Sequence, residues 1–220
     1  MEKKRTPLLI VNILIVLLTV LGVCITQLVR SDGLLIAEGL HNLKYFTVLS
    51  NILEGIASLV LAVRLIRLRR GRADGIPHWM YVLKLVSASA VAVTFFVVAL
   101  FFGPWVGYGL LYRDANLFFH LVIPVLAMGE FVALDRFDSV TLGETALCAA
   151  PELLYGLGYL LNLLINGIGV WPDTNDFYGF TTWGWGVGFM IFAAILLLGW
   201  GAGCLLRLGS RAGRSEKTKS

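Results

Sequence analysis

The sequence predicts an all-α membrane protein: a polytopic bundle of six transmembrane helices that forms a single domain. Of its 220 residues, 58% are hydrophobic and only 15% are charged, and the mean hydropathy is +0.81. A soluble domain of this size could not bury so much apolar surface, so we expect the lipid bilayer to surround the chain. The apolar residues also gather into six runs, each close to the roughly 20 residues that a helix needs to cross a bilayer.

The six runs define the predicted spans and leave little chain between them. They cover approximately residues 8–29, 45–66, 79–102, 117–134, 145–165 and 182–206, and a basic tail follows at 207–220. The first run resembles a signal peptide, but its length and the lack of a small-residue cleavage site favour a retained helix. No connection is long enough to build a soluble core, so any chemistry is expected within the bundle.

The basic residues predict the orientation of the bundle. Most of the 18 Lys and Arg residues lie before the first run, after the second and after the sixth, which by the positive-inside rule places both termini in the cytoplasm. Their position beside apolar runs also argues against nucleic acid as a partner. Because Cys24, Cys148 and Cys204 show no paired spacing and no neighbouring His, we predict neither a disulfide framework nor a metal or other cofactor.

Thr47 and His120 are the most specific candidates for chemistry. Each lies about three residues into its run, and the second and fourth runs cross the membrane in the same direction, so both side chains are expected near the outer face. A neutral imidazole within hydrogen-bond reach can take the proton of a Thr hydroxyl and turn it into a nucleophile. Asn51 or Asn116 would then be the amide donor that stabilises an oxyanion. The alternative is that both side chains serve packing, because intramembrane Thr and His often bond local backbone or polar neighbours.

Charged residues inside the runs form a second set of candidates, because placing them in lipid is costly. The set comprises Glu54, Lys84, Glu130 and Glu152. Glu54 and Lys84 could form an ion pair that fixes helix packing, or could line an ion or proton path together with Glu152. Glu130 and Glu152 lie nearer the cytoplasmic ends of their runs, where we expect them to be solvated. No inverted repeat or matched pair of broken helices favours transport.

Small residues and a short loop mark the last part of the chain. Glycines at 184, 186 and 188, and again at 199, 201 and 203, form two small-xxx-small patches that let another helix approach closely. We expect these contacts inside the bundle, and a scaffold that binds a partner helix there is the alternative. The loop 167–181 contains a Trp-Pro pair and no Lys or Arg, which predicts an ordered cap or an interfacial anchor.

Two short motifs resemble a known family. Residues 44–51 read KYFTVLSN, residues 116–120 read NLFFH, and Pro124 and Glu130 follow. In these motifs, and in their order along most of the chain, the sequence resembles the androgen-induced (FAR-17a/AIG1-like) protein family. The resemblance is strongest to its bacterial relatives, the Pr6Pr-type membrane proteins.

The resemblance implies a function and a location. Animal members of the family hydrolyse fatty acid esters of hydroxy fatty acids within the membrane, with a catalytic Thr and His at the positions that match Thr47 and His120. It therefore implies a lipid-ester hydrolase with a threonine nucleophile and a histidine base, which requires no metal. The bacterial relatives imply the bacterial plasma membrane as its location.

Overall fold

Six long helices make up the structure, as the hydrophobic runs predict. The computed structural model describes residues 2–28, 39–134, 138–170 and 174–215, and these contain helices and turns but no strand. The helices are α1 (Glu2–Leu28), α2 (Phe46–Arg69), α3 (His78–Val106), α4 (Ala115–Ala133), α5 (Gly143–Asn166) and α6 (Trp185–Ser215). All six contain a stretch that is long and apolar enough to cross a membrane, so the chain is an integral membrane protein of the all-α class.

The predicted helix ends differ from the observed ones by a few residues. α2 and α3 continue past the predicted ends of their runs, to Arg69 and Val106. The largest difference is at α6, which continues to Ser215 and so includes much of the predicted basic tail. An Arg side chain near a helix end can extend into water while its backbone stays helical, so the helix continues past the end of the apolar run.

Contacts between helix ends show how the bundle is arranged. Arg69 Nη2 donates to Thr6 Oγ1 at 2.6 Å, which places the end of α2 beside the start of α1. Arg207 Nε donates to the Val140 carbonyl at 2.8 Å, which ties α6 to the segment before α5. We call this the basic end of the bundle. The opposite end, where Tyr45 precedes α2, is the aromatic end.

α3 is the innermost helix. It contacts α2, α4, α5 and α6, and 56% of its most apolar stretch is buried, against 22% in α5 and α6. Its Leu85, Ala88 and Val91 are fully buried in the main core. α5 and α6 instead expose large apolar side chains such as Leu154 and Met190, as expected of helices that face lipid.

Two π-helical segments interrupt the bundle, and a proline follows each of them. In α3 the segment is Val97–Phe102, where Gly103 N–H bonds to the Val98 carbonyl five residues back. Pro104 has no N–H, so the next carbonyl, that of Ala99, loses its helical partner. Tyr108 Oη donates to that carbonyl at 2.9 Å.

The second π-helical segment uses the same arrangement and joins two helices. In α4 the segment is Phe118–Val122, and Ile123 N–H bonds to the Phe118 carbonyl. Pro124 leaves the Phe119 carbonyl without its helical partner, and Asn51 Nδ2 of α2 donates to it at 3.0 Å. An unpaired carbonyl in an apolar interior costs several kcal/mol. Asn51 therefore supplies the hydrogen-bond donor that Pro124 lacks.

This arrangement predicts that Asn51 and Pro124 are thermodynamically coupled. Asn51→Ala should lower the free energy of unfolding by about 1–3 kcal/mol, because it leaves the Phe119 carbonyl unpaired. In a Pro124→Ala background the helix has its N–H again, and the same change should cost clearly less. Thermal unfolding in detergent of both single variants and the double variant measures the coupling.

The control is Asn162→Ala, since within the described part of the chain the Asn162 amide oxygen accepts only from Asn166 of its own helix. An equal cost of Asn51→Ala in both backgrounds would contradict the account.

Candidate functional site

Thr47 lies in the first turn of α2, at the aromatic end. Its side chain is half-buried, and its carbonyl accepts from Ser50 Oγ at 3.1 Å and from Asn51 Nδ2 at 2.7 Å. Its own hydroxyl makes no hydrogen bond to any described residue. The hydroxyl is therefore not engaged in the back-bonding that is common for Thr in membrane helices.

His120 lies inside the π-helical segment of α4 and is 2% exposed. Its Nδ1 lies 2.6 Å from the carbonyl oxygen of Leu111, which is the last residue of a short helix before α4. A carbonyl only accepts, so Nδ1 carries the proton and Nε2 carries a lone pair. Within the described part of the chain Nε2 has no partner, which is the state of a histidine that can act as a base.

The bond from Asn51 to the Phe119 carbonyl brings α2 against the residue that precedes His120. No hydrogen bond joins Thr47 to His120 within the described ranges, so the catalytic pair stays a prediction. Asn51 donates both amide hydrogens, to the Thr47 and Phe119 carbonyls, and has none left for an oxyanion. Asn116 is half-buried, and its amide makes no hydrogen bond to a described residue.

An aromatic cap covers the start of α2. Phe46 N–H donates to Tyr178 Oη at 3.0 Å, and the Tyr45 and Phe177 rings meet edge to face at 5.3 Å. Tyr155 of α5 donates to the Lys44 carbonyl at 2.5 Å. The loop before α6 is therefore ordered where the structure describes it, as predicted, while the Trp171–Pro172 pair lies outside the described residues.

Asp176 holds the cap together from within. Its carboxylate accepts from Tyr159 Oη and Thr181 Oγ1, both at 2.5 Å, and from the backbone N–H groups of Phe180 and Thr181 at 2.8 and 2.9 Å. Burial raises the pKa of this carboxyl, but the bonds from Thr181 and Tyr159 outweigh burial and lower the pKa below its usual value. Sequence analysis gave Asp176 no role, because its four donors come together only in the folded loop.

A buried ion cluster joins four helices nearer the basic end. Lys84 Nζ of α3 lies 2.5 Å from Glu54 Oε1 of α2, 2.7 Å from Glu130 Oε2 of α4 and 2.9 Å from Ser58 Oγ. Asn12 Nδ2 of α1 donates to Glu130 Oε1 at 2.9 Å. All of these residues are at most 2% exposed.

The ion cluster confirms one expectation and corrects another. The predicted ion pair between Glu54 and Lys84 is present. The expectation that Glu130 and Glu152 are solvated is wrong, since they are 2% and 3% exposed. Glu130 is covered because Lys84 and Asn12 hold it inward, which spacing along one helix could not reveal.

Glu152 and the glycines of α6 form a separate contact. A Cβ at Gly199 would lie 3.0 Å from the Glu152 carboxyl carbon, and one at Gly203 would overlap the Cys148 side chain. These two glycines therefore serve packing of α6 on α5. Among the described residues, neither carboxyl oxygen of Glu152 has a hydrogen-bond partner, and Glu152 makes no ion pair with Lys84.

Comparison of the chain with protein-family models, with curated proteins and with solved structures gave no match. Across the described ranges, no group of three His, Cys, Asp or Glu side chains could hold a metal ion.

The cap is predicted to depend on the charge of Asp176. Because the pKa of this group is lowered by folding, its stabilising effect is complete above the ordinary Asp pKa of about 3.9 and is lost as the pH falls below it. Asp176→Asn removes the charge at every pH and should make the cap far more sensitive to chymotrypsin, which cleaves after Phe177, Tyr178 and Phe180. Cleavage rates at neutral pH measure this.

Asp114→Asn is the matched control, since Asp114 is an exposed acid in the loop that precedes α4 at the same end of the bundle. Equal cleavage of Asp176→Asn and the unchanged protein would show that the carboxylate does not hold the cap.

Proposed function

We propose that this chain is an intramembrane hydrolase of lipid esters, with Thr47 as the nucleophile and His120 as the general base. The observation that carries the proposal is the bond from His120 Nδ1 to the Leu111 carbonyl. It fixes the ring tautomer, leaves Nε2 as an acceptor with no partner among the described residues and thus gives His120 the orienting partner that activated-nucleophile sites share. The unpartnered Thr47 hydroxyl and the resemblance in both motifs support the same pair.

The reaction has two steps. Thr47 Oγ1 attacks the ester carbonyl while Nε2 takes its proton, and the resulting imidazolium returns that proton to the departing alcohol. Water then attacks the acyl-threonine, giving a proton to Nε2, and the acid leaves as the proton returns to Thr47. The two side chains must come within about 3 Å for this.

Two asparagines take different roles in this proposal. Asn116 lies one turn before His120, its amide has no partner among the described residues, and it is the better candidate for the oxyanion donor. Asn51 is a positioning residue, because it uses both amide hydrogens to hold α2 against α4. The aromatic cap above Thr47 would exclude bulk water and admit a lipid chain from the side.

The two rival functions have less support. A transport path through Glu54, Lys84 and Glu152 would need these residues to be connected, but Glu54 and Lys84 are enclosed in the ion cluster and Glu152 stands apart. A scaffold would bind its partner through the α6 glycines, but Gly199 and Gly203 already pack on α5 and are not available to a partner helix.

The decisive test is labelling of the purified protein in detergent with a fluorophosphonate probe, whose fluoride is displaced by an activated hydroxyl. The unchanged protein should be labelled at Thr47, and Thr47→Ala should not be labelled. His120→Asn keeps a donor for the Leu111 carbonyl but removes the base, so its labelling rate should fall about 100-fold or more.

Thr94→Ala is the control for a buried hydroxyl, because Thr94 is engaged with Ser50 at 3.2 Å. Labelling that persists in Thr47→Ala would reject Thr47 as the nucleophile, and no labelling of the unchanged protein would reject the hydrolase.

We also propose that the basic end faces the cytoplasm of a bacterial plasma membrane, with both termini on that side and the Thr47 site near the outer face. The Arg residues beside Arg69 and Arg207 support this orientation. A green fluorescent protein fused to the C-terminus should fluoresce in a bacterial host, and an alkaline phosphatase fused there should be inactive. A phosphatase fused after Gly167 should be active, and the opposite pattern would contradict the orientation.

A further inference from the structure

The ion cluster contains one more negative than positive group. Two carboxylates, Glu54 and Glu130, face one ammonium, Lys84. Asn12, Ser58 and Ser87 complete the surroundings and are neutral. Within the described chain no other charged side chain contacts these groups, so the cluster would carry a net charge of −1 with both acids ionised.

A net charge at this position would be very costly. Every member of the cluster is at most 2% exposed, and an unbalanced ion in a protein interior costs several kcal/mol or more. One additional proton would make the cluster neutral. Charge balance therefore requires one proton on the cluster in addition to the charges of its two ion pairs.

The two acids are not equally suited to hold that proton. Glu54 accepts from three donors: Lys84 and Ser58 at Oε1, at 2.5 and 2.9 Å, and Ser87 at Oε2, at 2.5 Å. Among the described residues, Glu130 accepts one hydrogen bond, from Asn12 at Oε1, while its Oε2 lies 2.7 Å from Lys84 Nζ in an ion pair without hydrogen-bond geometry. Because donors stabilise the ionised form, Glu54 is the better carboxylate and Glu130 the better acid.

An unpaired acceptor atom of Asn12, the residue that donates to Glu130, also favours a proton on Glu130. Asn12 Nδ2 donates to the Leu8 carbonyl at 2.8 Å and to Glu130, which fixes the orientation of the amide. Asn12 Oδ1 is then a buried acceptor without a donor. A carboxylic acid at Glu130 is a donor next to that amide, whereas a carboxylate is not.

We propose that the Glu54–Lys84–Glu130 cluster is a proton-binding site that holds one proton at neutral pH, carried by Glu130. The ligand is a proton, and the site is distinct from Thr47 and His120, so this inference stands whether or not the chain is a hydrolase. The proton completes the contact of α4 with α1 and α3. Its release leaves a net charge inside the bundle and so favours separation of these helices.

The test counts protonated acids by infrared spectroscopy at neutral pH, where solvated Asp and Glu are ionised. All proteins carry Glu152→Gln, so that this buried glutamate does not contribute, and the carbonyl stretch of Glu carboxylic acids is identified by isotope-labelled glutamate. With the cluster intact, one protonated Glu is expected.

Charge balance then predicts a pattern that burial of Glu130 alone would not give. Glu130→Gln should lose the signal. Glu54→Gln should also lose it, because Glu130 then ionises opposite Lys84. Lys84→Met should show two protonated acids, and if this variant does not fold, the two Gln variants still decide.

The proposal is overturned if the cluster shows no protonated acid in the Glu152→Gln protein, because the site then carries a net charge. It is also overturned if the signal persists in Glu54→Gln, since Glu130 would then be protonated without regard to charge balance. Loss in both Gln variants supports it.

Discussion

Electroneutrality within an apolar bundle is the constraint on which the other features depend. Lys84, on the innermost helix, cannot be ionised there without a carboxylate, and it meets one from α2 and one from α4. Asn12 extends the same centre to α1. Because these four helices must satisfy one set of polar groups, their rotation and depth are fixed together. α5 and α6, which have no part in the cluster, lie at the periphery and have the smallest share of buried residues among the six helices.

Proline has a related role nearer the aromatic end. Pro104 and Pro124 each remove one backbone donor just after a π-helical segment, and a side chain replaces it. In α4 that side chain is Asn51, so a local feature of one helix becomes a contact between two. His120 lies in the same π-helical segment, and its ring holds the preceding loop. The candidate site is thus built where the helix is least regular, as is common for π-helical segments.

The bundle therefore separates two kinds of polar chemistry along its length. At the aromatic end, the polar atoms of Thr47 and His120 have unused capacity beneath a cap that Asp176 holds in place. In the ion cluster the polar side-chain atoms are enclosed, and all but Asn12 Oδ1 and Glu130 Oε2 have a hydrogen-bond partner among the described residues. Unused capacity is what a reacting group needs, whereas full pairing gives rigidity. The proposed hydrolase and the proposed proton site are for this reason assigned to different places and can be tested separately.

The sequence by itself determined the six helices, because run length and hydropathy are set by the bilayer and need no partner. It also singled out the polar residues, since each stands out in an apolar run, and it predicted the pairing of Glu54 with Lys84. Only the tertiary structure decided that Glu130 and Asn12 join that pair and that the Asn51 amide donates to the Phe119 carbonyl. Helix rotation decides which side chains meet, and it follows from the packing of all six helices together, which periodicity in one helix does not specify.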